Sequence, residues 1–134
     1  MSGKKSNFLA NFCLKNDLSF LSFDFQGHGQ SSGEFTSFGI SDWFNDLENI
    51  IKYLKIKNCI LVGSSMGGWV AIIYALMNPN KVTKLIGIAP APDFTTKLIW
   101  RNFSISQKNK IKNNKIVRQK VSSDFVYSYS PALF

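Results

Sequence analysis

The segment Gly63-Ser64-Ser65-Met66-Gly67 fits G-x-S-x-G. An apolar run, Cys59-Ile60-Leu61-Val62, precedes it, and an apolar segment from Trp69 to Met77 follows. A sharp strand-to-helix turn there lifts the Ser65 hydroxyl above a sheet and leaves no room for side chains two positions either side. The N–H of Met66 then points to where a carbonyl oxygen becomes an oxyanion, and the helix N-terminus favours that negative charge. The chemistry implied is acyl transfer through serine. The competing reading is a glycine-rich turn that packs a helix or binds phosphate. The spacing is not G-x-G-x-x-G, and no Lys follows as in a P-loop.

The flanking elements must hold that turn. Leu18-Ser19-Phe20-Leu21-Ser22-Phe23 alternates and predicts a strand ending at Asp24. Gly27-His28-Gly29-Gln30-Ser31-Ser32-Gly33 must be a loop. Ile40, Trp43, Phe44, Leu47, Ile50, Ile51 and Leu54 recur at three- and four-residue steps, which predicts a helix over 40–55. Ser37 or Ser41 is its expected N-cap, and Asp42 suits its positive end. Cys59–Val62 and Leu85–Ala89 read as strands buried on both faces, as in a parallel sheet. Asn78-Pro79-Asn80 ends the helix between them. A weaker helix carrying Phe8, Leu9, Phe12 and Cys13 precedes the first strand. The order β-α-β-α-β over 18–89 implies a parallel sheet flanked by helices.

Composition narrows the classes. The chain has 134 residues, 45% apolar and 18% charged, which suits one folded domain and excludes a disordered polyampholyte. Cys13 and Cys59 form no CxxC and His28 is the single histidine, so neither a zinc module nor a disulfide scaffold is expected. The N-terminal stretch lacks an apolar run with a cleavage site, so a cytoplasmic protein is expected. Asn58 to Asn80 carries no charge over 23 residues, long enough for a bilayer. The glycines and serines at its middle favour strand, turn and buried helix, so no membrane span is expected. Residues 1–96 hold eight basic and seven acidic side chains, whereas 97–120 hold eight basic and none acidic. The basic stretch reads as a solvated tail, with a field for anionic substrates as the alternative. No stacking pattern or recognised module accompanies it, so no nucleic-acid partner is expected. Trp69 reads as packing on the sheet, with a pocket wall as the alternative.

Three segments carry a resemblance. Asp24-Phe25-Gln26-Gly27-His28-Gly29-Gln30-Ser31 resembles the D-x-x-G-H-G-x-S loop after the fourth strand of α/β-hydrolases. Val62 to Trp69 resembles the nucleophile elbow of that fold, and Ile88-Ala89-Pro90-Ala91-Pro92-Asp93-Phe94 resembles the exit of its sixth strand. The branch is the one with the mitochondrial acyl-protein thioesterase and acyl-glucuronide esterase and their bacterial relatives. The resemblance implies a partial α/β-hydrolase fold, mainly parallel sheet with flanking helices, over residues 1–96. Residues 97–134 form a basic, poorly defined C-terminal segment. It further implies a serine hydrolase of carboxylic esters or thioesters with Ser65 as nucleophile and the Met66 N–H as oxyanion donor. Gly63 and Gly67 frame the elbow, and no cofactor or metal is implied.

A serine nucleophile needs a base, and the family order is Ser, acid, His. No histidine follows Ser65. His28 reads as a hydrogen-bonded loop residue, with a base role as the alternative. Asp93 and Asp124 are the downstream acids. In the family sheet the third strand lies between the fourth and fifth, which here leaves a gap beside Ile60–Val62. Each dry unpaired edge group costs roughly 1–3 kcal/mol. The sequence is therefore expected to be the middle part of a hydrolase about twice its length. The alternative to an active enzyme is an inert hydrolase fragment that at most binds a complementary fragment.

Overall fold

A computed structural model describes residues 3–123 and 125–134. The weak N-terminal helix is α1, Lys4–Lys15. It buries no residue, and Phe8 and Phe12 remain exposed. The 40–55 periodicity yields α2, Ile40–Tyr53, with Trp43, Leu47 and Ile51 on its buried stripe. Its N-cap is Gly39 rather than Ser37 or Ser41. An added Cβ at Gly39 would collide with the carbonyl oxygen of Ala132, so no serine fits there. The carboxylate of Asp42 instead accepts the Gly39 N–H at 2.8 Å.

The two apolar runs form β1, Cys59–Ser64, and β2, Val82–Ile88, joined through α3, Met66–Met77. They pair in parallel from Ile60↔Lys84 to Ser64↔Ile88, with an irregularity next to Cys59. Cys59 and Leu61 face the helices, while Ile60, Val62 and Ile86 are exposed on the other side. Burial pushes the Cys59 thiol pKa up.

The expected strand over Leu18–Phe23 does not form. The segment leaves α1 with the Leu18 N–H on the Cys13 carbonyl. No strand among the described residues lies beside it. Alternation extends a backbone, but a strand also needs a neighbour to complete its ladder. Phe23 and Phe25 still pack on the main core with Cys59 and Leu61.

That core joins α2 and α3 through Trp43, Leu47, Ile51, Val70 and Tyr74, with Leu133 closing it. Tyr74 is 0% exposed, and its hydroxyl has no hydrogen-bond partner among the described residues. Removing an unpaired buried hydroxyl relieves a desolvation cost of about 1–3 kcal/mol. Tyr74→Phe is therefore expected to raise the urea midpoint by a stability gain of about 1 kcal/mol. An unchanged or lower midpoint would show that the hydroxyl is hydrated or bonded.

The described residues of 97–134, the segment expected to be poorly defined, are folded. A π-helical segment, Phe94–Trp100, leads to α4, Ile105–Lys112, and to an antiparallel hairpin of β3, Val117–Ser122, and β4, Phe125–Tyr129. Phe103, Ile111 and Val117 form a second small core there. Ser104 and Gln107 make a reciprocal capping box at 3.2 and 2.8 Å. Among the described residues no helix is long and apolar enough to cross a membrane.

Candidate active site

The turn between β1 and α3 is built around Ser65. Its backbone sits at φ 53°, ψ −122°, an unusual region for a residue with a side chain. Strain of this kind persists only where the surroundings over-determine it. Four backbone bonds do so. The Ser65 N–H donates to the Ile88 carbonyl at 3.1 Å. The Ser65 carbonyl accepts from Gly68 at 3.0 Å, Trp69 at 3.2 Å and Ala91 at 3.2 Å. The serine is thus clamped between its own helix and the exit of β2. Its side chain is exposed, and its hydroxyl has no hydrogen bond among the described residues.

The glycines divide the work differently from the sequence expectation. A Cβ at Gly63 would lie 2.5 Å from the Gly67 carbonyl oxygen and 2.6 Å from the Gly68 Cα. Backbone atoms cannot yield as side-chain tips do, so Gly63 is obligatory. At Gly67 an added Cβ meets only the Phe25 ring, at 3.9 Å. The second tight position is Gly68, where a Cβ would stand 2.8 Å from the Cβ of Pro90 and 3.1 Å from the Gly63 oxygen. The tandem Gly67-Gly68 was the available signal for it.

Met66 opens α3, and its N–H has no acceptor among the described residues. It is one of the orphan donors that every helix N-terminus carries. It lies directly after Ser65, beside the free hydroxyl. Lys5 adds a feature that motif reasoning missed. Its Nζ donates to the Ser64 hydroxyl at 2.8 Å, which brings α1 to the turn. A shallow, mainly apolar recess lined by Lys4, Lys5, Phe8, Leu9 and Ile88 opens there.

His28 lies elsewhere in the packing. Its ring meets Phe35 and Trp43 edge-on at 5.2 and 5.1 Å, and its Nδ1 lies 3.2 Å from the Gln26 carbonyl. Neither ring nitrogen bonds to Ser65. Asp24 anchors the loop around His28, accepting the Gln30 N–H at 3.1 Å and, through its carbonyl, the Ser31 hydroxyl at 2.6 Å. Asp93 stands in left-handed backbone at the start of the π-helical segment and pairs with Lys97 at 2.9 Å. Asp124 lies outside the described residues. Trp69 packs edge-on against Phe94 at 5.7 Å. The structure therefore gathers Ser65, Met66, Gly63, Gly67 and Gly68 at one point, with His28 and Asp93 engaged apart from it.

The family model described as serine aminopeptidase, S33, matches residues 2–132. A rat protein named palmitoyl-protein thioesterase ABHD10, mitochondrial, is 39% identical over 93 residues. That match covers 69% of this chain and 31% of the rat protein. A crystal structure from Agrobacterium vitis S4 superposes with TM-score 0.87 at 29% identity, covering 98% of this chain and 53% of its own. Alpha/beta hydrolase domain-containing protein 10 from mouse gives TM-score 0.76 at 30% identity, covering 90% and 48%. The chain thus spans about a third of the rat relative and about half of each solved structure.

Proposed function

This chain belongs to the α/β-hydrolase family that the serine aminopeptidase, S33 model describes, and on that premise we propose that Ser65 is the nucleophile of a serine hydrolase of carboxylic esters or thioesters. The observation that carries this reading is the clamped Ser65 backbone at φ 53°, with a hydroxyl and a neighbouring Met66 N–H that have no partner among the described residues. Attack by Oγ forms an Oγ–C bond and puts negative charge on the former carbonyl oxygen. The Met66 N–H and the α3 N-terminus stabilise that charge. Collapse breaks the C–O or C–S bond, and the leaving group takes up the proton that the serine gave up. Water then hydrolyses acyl-Ser65, releasing the acid. The recess along Phe8, Leu9 and Ile88 suits the substrate's acyl chain. Ile88 links the recess to the turn, since its carbonyl accepts the Ser65 N–H. The palmitoyl-protein thioesterase name of the rat relative supports the thioester class. A cytoplasmic placement remains part of this proposal, although the rat relative is named as mitochondrial.

A second reading has its own observation. Among the described residues no histidine or carboxylate bonds to Ser65, and His28 and Asp93 are held by other partners. On this reading the chain is inert by itself and binds a complementary hydrolase fragment that brings the base. The two readings separate in one assay. An activated ester such as 4-nitrophenyl butyrate needs little help with its leaving group, whereas deacylation by water needs a base. The first reading predicts a burst of nitrophenolate near one equivalent, then slow turnover. Octanoyl-CoA should acylate the same residue more slowly. With Ser65→Ala, release should fall to the buffer background. Undiminished release from Ser65→Ala would overturn the assignment. No burst from folded wild-type protein would favour the inert fragment.

A further inference from the structure

The chain's excess positive charge is concentrated in one module. Residues 97–120 carry eight basic side chains and no acid, which equals the net charge of +8. Among the described residues one of them, Lys97, is paired with a carboxylate. The remaining seven have no acidic partner there to neutralise them. Charge of this kind could be an ordinary solvated surface, but the same stretch of chain also exposes aliphatic side chains. Ile105, on the first turn of α4, is 80% exposed, and Leu98 is 61% exposed. Ile105 shares its helix face with Lys108 and Lys112, three and seven positions on. Leu98 lies three residues before Arg101 in the preceding helical segment. On the hairpin, exposed Val126 sits directly across from Lys120. The module's own core of Phe103, Ile111 and Val117 is already filled by other side chains, so these aliphatics are not a misplaced interior.

We infer that this basic, aliphatic-studded module binds the surface of an anionic phospholipid bilayer. The cations meet head-group phosphates and carboxylates, while Ile105, Leu98 and Val126 enter the boundary with the acyl chains. The charge is complementary to that surface, and the interleaved aliphatics distinguish it from a nucleic acid, whose phosphates would engage the cations alone. Trp100 is partly covered by Lys108, whose Nζ lies 6.0 Å from the ring centroid, and the exposed Tyr127 ring is stacked on Tyr129 at 5.9 Å. This inference is independent of the Ser65 chemistry.

The test is sedimentation of the full chain with vesicles of phosphatidylcholine alone or with about 30% phosphatidylserine. Binding should be at least about tenfold stronger on the anionic vesicles and weaken in high salt. Lys110→Gln with Lys112→Gln and Lys115→Gln should lower it about tenfold or more. Ile105→Ser with Leu98→Ser should lower vesicle binding severalfold while leaving retention on heparin unchanged, which separates insertion from charge. These sites are on the surface, and circular dichroism of each variant should match wild type. Equal binding to neutral and anionic vesicles, or none to either, would overturn the inference. So would tighter binding to duplex DNA than to anionic vesicles, or an Ile105/Leu98 variant that binds vesicles like wild type.

Discussion

Gly63→Ala is expected to abolish the reactivity of Ser65 and to destabilise the chain. The added methyl would stand 2.5 Å from the Gly67 carbonyl oxygen and 2.6 Å from the Gly68 Cα, both backbone. Relief requires β1 and α3 to move apart where the serine is clamped. The four bonds that hold Ser65 then lengthen together, because they tie the same peptide units to α3 and to the exit of β2. Overpacking of this kind costs about 1–3 kcal/mol, and more where backbone must shift. The effect on chemistry is larger, since a displacement of about 1 Å at the reacting atoms can cost on the order of 100-fold. Acylation by 4-nitrophenyl butyrate should fall about 100-fold or more while the protein still melts. Gly67→Ala is the control, because only the Phe25 ring at 3.9 Å stands in its way. Equal losses at both positions would show that the close approach of β1 to α3 is not what shapes the turn.

Trp43→Ala should unfold most of the chain. Trp43 is 0% exposed and stands where α2 meets the His28 loop. Its ring stacks on Phe35 at 5.7 Å and meets His28 at 5.1 Å, and its Nε1 donates to the Gln26 carbonyl at 3.0 Å. Truncation removes the largest core side chain and the donor for a half-buried carbonyl. Such changes cost about 3–5 kcal/mol. A domain's whole stability is typically about 5–15 kcal/mol. With a two-stranded parallel sheet and an α1 that buries nothing, this chain belongs at the low end. The expected result is loss of the cooperative thermal transition. A transition lowered by only a few degrees would mean that the core does not hinge on this residue.

What the sequence made legible follows the range of each signal. The elbow was readable because its demands are local: small residues around one serine, an apolar run before and a helix after. The α2 stripe was readable for the same reason, since Trp43, Leu47 and Ile51 declare their face by spacing alone. The strand over Leu18–Phe23 failed because a ladder depends on a second segment, and none among the described residues supplies it. The Gly39 cap was missed because its cause is distant in sequence: the Ala132 carbonyl oxygen occupies the space a side chain's Cβ would need. Lys5 on Ser64 was missed likewise, being 59 residues away along the chain. Within 97–134 the Ser104…Gln107 capping box was a local sign of α4 that lay in plain view. The place of the His28 ring rests on aromatic neighbours from two elements, Phe35 and Trp43, which no local pattern declares.

The most direct test of the central claim is intact-mass analysis after incubation with a fluorophosphonate, using Ser65→Ala as the control. The reagent reports a serine hydroxyl that can attack an electrophile while an oxyanion develops beside it. Exposure alone would not distinguish Ser65 from the other surface serines. A single adduct is expected, carried by the peptide containing Ser65, approached slowly and absent from Ser65→Ala. An adduct of equal extent in Ser65→Ala would contradict the claim, as would no adduct on wild-type protein that melts cooperatively.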